Sequence, residues 1–94
     1  MSAERMELRI VGRVQGVGFR WWAVRHADRL GLTGWVMNAG DERTVELVAE
    51  GEPQALDRLE AVVRSGPSGA RIEHVEARRA VASGEFTGFS IVRS

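Results

Sequence analysis

The segment Gly12-Arg13-Val14-Gln15-Gly16-Val17-Gly18-Phe19-Arg20 sets glycines and an arginine between two unlike patterns. Before it, Met6, Leu8 and Ile10 alternate with Glu7 and Arg9, the period of a half-buried strand. After it, Phe19, Trp22, Ala23, Ala27 and Leu30 fall on one helical face. A strand-to-helix loop of this kind points free backbone N–H groups at the positive end of a helix dipole, and an anion fits there. Gly16 and Gly18 can take the positive φ angles that turn successive N–H groups inward as a nest. Arg20 adds a fixed charge and a planar fork of donors matched to phosphate oxygens. Gln15, Gly16, Val17, Gly18, Phe19 and Arg20 are therefore the candidate phosphate cradle. The spacing is not that of the lysine-bearing phosphate loop, and the chain has no lysine. It is not G-x-G-x-x-G, and no parallel βαβ unit with a ribose-binding acid follows.

The elements that must hold this loop can be read along the chain. Strands are expected at 6–13, 32–38, 44–51, 70–79 and 86–92, and helices at 19–30 and 53–65. Pro53 suits a first helical position, Leu56, Leu59 and Val63 form an apolar stripe, and Ser65-Gly66-Pro67 ends the helix. Ile72 and Val75 do not share strand parity, so that strand carries a bulge or is shorter. The order βαββαβ predicts an α+β, ferredoxin-like sandwich: an antiparallel sheet with both helices on one face. Residues 1–94 are expected to form a single domain.

Composition narrows the chemistry. Ninety-four residues support one modest core, and 44% apolar content is ordinary for a globular chain. Thirteen basic and 13 acidic residues are scattered, so no basic face for nucleic acid is expected. No apolar run is long enough to cross a membrane, and Met-Ser-Ala-Glu-Arg is no hydrophobic signal segment. A cytoplasmic monomer is the expectation. Lysine, tyrosine and cysteine are absent, which removes three covalent nucleophiles. His26 falls near the Trp22 and Leu30 helix face, where partial burial is expected, and His74 lies far from the loop. With no acidic partner at ligand spacing, no metal site and no cofactor are expected. Trp21, Trp22 and Trp35 are expected in core or rim packing. Asp41 and Glu42 belong to a hairpin tip, and Asp57, Arg58, Glu60 and Arg64 to a solvated helix face. Arg20 opposes the helix dipole, an odd place for a purely structural cation; the bland alternative is a stem lying on Trp21 or Trp22. Gln15 is either a ligand donor or a surface side chain.

A second motif, Gly34-Trp35-Val36-Met37-Asn38, follows the first helix. With the motif at 12–20 and the tail Phe86-Thr87-Gly88-Phe89-Ser90-Ile91, it resembles the acylphosphatase family, and the resemblance covers most of the chain. Asparagine is also a common turn starter, so it is the paired motifs that give Asn38 a functional reading. One departure concerns the hairpin. The family usually has a glycine four residues after the motif asparagine, whereas Asp41-Glu42-Arg43-Thr44 fills that turn here.

The resemblance implies hydrolysis of an acyl phosphate to a carboxylate and inorganic phosphate. Arg20 and the backbone N–H groups of Gln15 to Arg20 would hold the phosphate, and Asn38 would orient the attacking water. Both residues would sit at adjoining ends of neighbouring strands. A carboxylate leaving group departs without protonation, and a dissociative transfer asks for an oriented water more than a strong base. The lack of an obvious acid or base therefore suits this substrate. The alternative is a non-catalytic anion-binding or regulatory module on the same fold.

Overall fold

The computed structural model describes residues 3–93; Met1, Ser2 and Ser94, the ends of the expected domain, lie outside the described residues. In chain order the elements are β1 (Glu4–Arg13), α1 (Phe19–Arg29), β2 (Thr33–Asn38), β3 (Thr44–Gly51), α2 (Pro53–Ser65), β4 (Arg71–Val81) and β5 (Phe89–Val92). The alternation in β1 places Met6, Leu8 and Ile10 in the core, where they join Val36, Val45, Leu47 and Ala49 from the neighbouring strands. Phe19, Ala23 and Ala27 from α1 and Leu56, Leu59 and Val63 from α2 cover them from one side. Burying a side chain of this size is worth about 1.5–3 kcal/mol, so the shared core holds both helices to the same sheet face.

The strand order is β4-β1-β3-β2-β5. β1 is antiparallel to β3 and β4, and β2 is antiparallel to β3, as the βαββαβ pattern requires. The expectation of an antiparallel sheet fails at the fifth strand: β5 runs parallel to β2, and the sheet is mixed. The cause is directional. β4 runs opposite to β2, so it ends where β2 begins. A chain that crosses from there to the far edge must enter beside β2 in the same direction.

The segment that makes this crossing, residues 82–88, is anchored by a buried carboxylate. Glu50 accepts hydrogen bonds from the Ser83 and Gly84 N–H groups at 2.8 and 3.0 Å and from the Ser83 hydroxyl at 2.9 Å. Arg5, its cross-strand partner, donates to it at 3.2 Å and lies 5.7 Å from the centre of the Phe86 ring. At the opposite edge the sheet carries the expected bulge. β1 shifts register against β4 between Val11 and Gly12, which leaves Glu73 unmatched and turns both Ile72 and Val75 toward the core. Gly12 is required at that shift, because a Cβ there would overlap the Arg71 carbonyl.

Candidate active site

The loop 14–18 leaves the end of β1 and delivers the chain to α1, which packs on β2 and β5. It therefore passes over the start of β3. Contrary to the expectation of neighbouring strands, Arg20 follows β1 and Asn38 ends β2, and β3 lies between the two. The crossing loop closes that gap. The Gln15 side chain is partly buried and spends its amide hydrogens within the protein. Its Nε2 donates to the Ala39 carbonyl at 3.0 Å and to the Thr44 carbonyl at 2.9 Å, tying the loop to the β2–β3 hairpin beside Asn38.

Gly16 and Gly18 both have φ of 77°, the left-handed region that lets the loop fold its N–H groups inward. Gly18 is the N-cap of α1, with no side chain capping it and no acidic residue in the first turn. The first intrahelical bond is from Trp22 N–H to the Gly18 carbonyl, so the N–H groups of Phe19 and Arg20 have no acceptor within the helix. A cleft of about 90 Å³ opens here. Val14 and Phe19, each 1% exposed, belong to the core beneath it. Gly16, Gly18, Arg20, Trp21 and Ile91 line the rest.

Arg20 is half-buried and pairs with no carboxylate among the described residues. The other arginines without such a partner are all exposed. An arginine without a carboxylate partner beside uncapped helix N–H groups makes an electropositive spot, and an anion is its natural counterpart.

Asn38 ends β2 on the helix-covered face, because the alternation that buries Val36 returns two residues later. Its Oδ1 is buried and has no hydrogen-bond partner among the described residues. Next to β2, Ile91 pairs in register with Val36. The same alternation turns Ile91 to the α1 side, with Phe89 in the core.

Several titratable groups outside the cleft have structural partners. Asp41 accepts from Arg43 N–H at 3.0 Å and from the Thr44 hydroxyl at 2.6 Å; chiefly the Thr44 bond holds its carboxyl below the usual range. Arg43 in turn reaches Glu73 at 2.6 Å. His26 is partly buried, edge-on to Trp22 with ring centres 4.8 Å apart; burial lowers its pKa, and Arg29 and Arg25 add to the effect. On α2, the exposed face carries ion pairs: Glu60 pairs with Arg64, and Asp57 and Glu60 both reach Arg79 on β4, at 2.9 and 3.2 Å. No group of three or more metal-ligating side chains occurs among the described residues.

Known proteins resemble the chain in sequence and in fold. The family model described as Acylphosphatase matches residues 6–91. An acylphosphatase of Methylococcus capsulatus is 48% identical over 90 residues, 96% of this chain and 97% of its own. One from Thermococcus kodakarensis is 46% identical over 92 residues, 98% of this chain and 99% of its own. The crystal structure of acylphosphatase from Bacillus subtilis superposes with a TM-score of 0.90 at 34% identity, covering 95% of this chain and 98% of that one. By sequence and by fold, the chain belongs to the acylphosphatase family, enzymes that hydrolyse acyl phosphates to a carboxylate and inorganic phosphate.

Proposed function

We propose that Arg20 and the backbone N–H groups of residues 15–20 bind the phosphoryl group, and that Asn38 orients the water that attacks it. The observation that carries this reading is a pair of unsatisfied polar groups at one end of the sandwich. Among the described residues, Arg20 is half-buried and has no carboxylate partner, and the Asn38 Oδ1 is buried without a donor. A phosphoryl group satisfies the first and a water molecule the second.

In the reaction, the water oxygen forms a bond to phosphorus while the phosphorus–oxygen bond to the acyl group breaks. The carboxylate leaves with the electron pair, and the water's proton passes to solvent. Charge on the equatorial oxygens is met by Arg20 and the loop N–H groups, which are already in position before the reaction. Asn38 Oδ1 accepts a hydrogen bond from the water and fixes its line of approach. The loop itself is held in register with Asn38 by Gln15.

This reading involves no metal and no organic cofactor, and its partners are a small acyl phosphate and inorganic phosphate. We also propose that residues 1–94 act as one domain, as a monomer and in the cytoplasm, with no nucleic-acid or membrane partner. Light scattering after size exclusion measures the oligomeric state.

Benzoyl phosphate hydrolysis tests the site. Arg20→Ala should lose about 3 kcal/mol or more of transition-state stabilisation, together with competitive inhibition by inorganic phosphate, and keep its fold. The unsubstituted enzyme should retain its full rate in excess chelator. Near-normal hydrolysis by Arg20→Ala overturns the assignment.

A further inference from the structure

Four large apolar residues are exposed among the described residues: Trp21 at 68%, Val81 at 87%, and Ile91 and Val92 at 38% each. Two of them, Trp21 and Ile91, line the cleft that holds Arg20. The other tryptophans are used elsewhere. Trp22 packs on Phe19, with ring centres 5.3 Å apart, and Trp35 lies on the sheet face away from the helices. The Trp21 indole is thus a large flat surface left in water beside the phosphate cradle.

We propose that Trp21, together with Ile91, is the platform for the acyl group. By this device the chain selects acyl phosphates with aromatic or extended apolar acyl groups over acetyl phosphate. The inference rests on the phosphate-binding reading of Arg20. With the phosphoryl group in the cradle, the acyl carbon emerges at the cleft mouth, where the side chains on offer are apolar. A ring or long chain there covers indole surface; a single methyl group covers little. Offset-stacked or edge-to-face contacts between aromatic groups add to the gain from burial. Trp21 is a specificity residue, since it touches the departing half of the substrate and no reacting atom.

The test compares kcat/KM for benzoyl phosphate and acetyl phosphate in the unsubstituted enzyme, Trp21→Ala and Trp21→Phe. Taking the ratio within each enzyme and then between enzymes cancels the intrinsic reactivity of the two anhydrides. Trp21→Ala should lower the benzoyl-to-acetyl ratio about five- to tenfold, mostly through KM for benzoyl phosphate. Trp21→Phe should recover most of it. A ratio that does not change in Trp21→Ala, whether the two rates fall together or neither moves, overturns the platform. Inhibition of the unsubstituted enzyme by inorganic phosphate separates the two readings. If inhibition is present and the ratio is flat, the platform alone is wrong; if inhibition is absent, the cradle on which it rests is wrong.

Discussion

On the proposed reading Arg20 and Asn38 differ in what they touch, and mutation should separate them. Arg20 would meet the phosphate in ground and transition states alike. Asn38 would meet the water, whose alignment matters only as the new bond forms. An interaction confined to the transition state lowers turnover, whereas one made in both states also weakens binding. Asn38→Ala should therefore bind inorganic phosphate with nearly unchanged affinity by calorimetry, and its kcat should fall on the order of 100-fold, as when a preorganised hydrogen-bonding group is lost. A variant that kept kcat and only raised KM would make Asn38 a turn residue. The glycine loop and helix start of the candidate cradle were readable from the sequence because loop, helix start and arginine are contiguous. The role of Gln15 was not. Its acceptors lie 24 and 29 residues further on, and no local pattern encodes a bond of that span.

At the scale of elements, local periodicity accounts for most of what is observed. α2 and β3 occupy the expected residues, and the parity conflict of Ile72 and Val75 marks a true bulge. The direction of β5 was hidden because it depends on where β4 ends in space, not on any residue in β5. The β2–β3 hairpin is informative in another way. Glu42 has φ of 65°, a left-handed conformation, at the position where the family usually carries glycine. A side chain in that region costs about 1–2 kcal/mol. Glycine removes the strain but adds about 0.5–1 kcal/mol of unfolded-state entropy. Glu42→Gly should therefore stabilise the chain by roughly 0–1.5 kcal/mol, read as a higher urea midpoint with an unchanged slope. The Asp41 bonds to Arg43 and Thr44 hold the turn in either case, so kcat should not move. A lower midpoint would mean that the Glu42 side chain contributes a favourable interaction larger than its backbone strain.

Across the whole molecule, the proposed phosphate site and the main buried charge among the described residues sit at opposite ends of the sheet. Thr44 begins β3 beside the cradle, and Glu50 lies six residues further along it, about 20 Å away by strand rise. Glu50 is 4% exposed and fastens the crossing segment that leads to β5. Burial alone would raise its pKa. The Ser83 and Gly84 N–H groups, the Ser83 hydroxyl and Arg5 outweigh that and bring it to about 2, from an ordinary 4.5. A carboxyl depressed in the folded state stabilises the fold fully above its unfolded value. Between pH 4.5 and about 2 the unfolded chain takes up a proton that the folded chain refuses, so that stabilisation is lost as the pH falls through this window. Glu50→Gln keeps the size of the side chain but removes the charge that three hydrogen-bond donors and Arg5 share. It should cost about 2 kcal/mol at neutral pH, the usual worth of hydrogen bonds to a charged group, and flatten the loss of stability between pH 4.5 and 2. Because the cradle is at the far end, kcat for benzoyl phosphate at neutral pH and 25 °C should stay within about twofold, as expected of well-separated sites. Urea denaturation of both proteins at several pH values, beside steady-state kinetics, measures all three quantities. An acid limb as steep in Glu50→Gln as in the unsubstituted chain would assign the pH dependence to another carboxylate. A large fall in kcat would show that the position of β5, and with it Ile91, couples the crossing segment to the cleft.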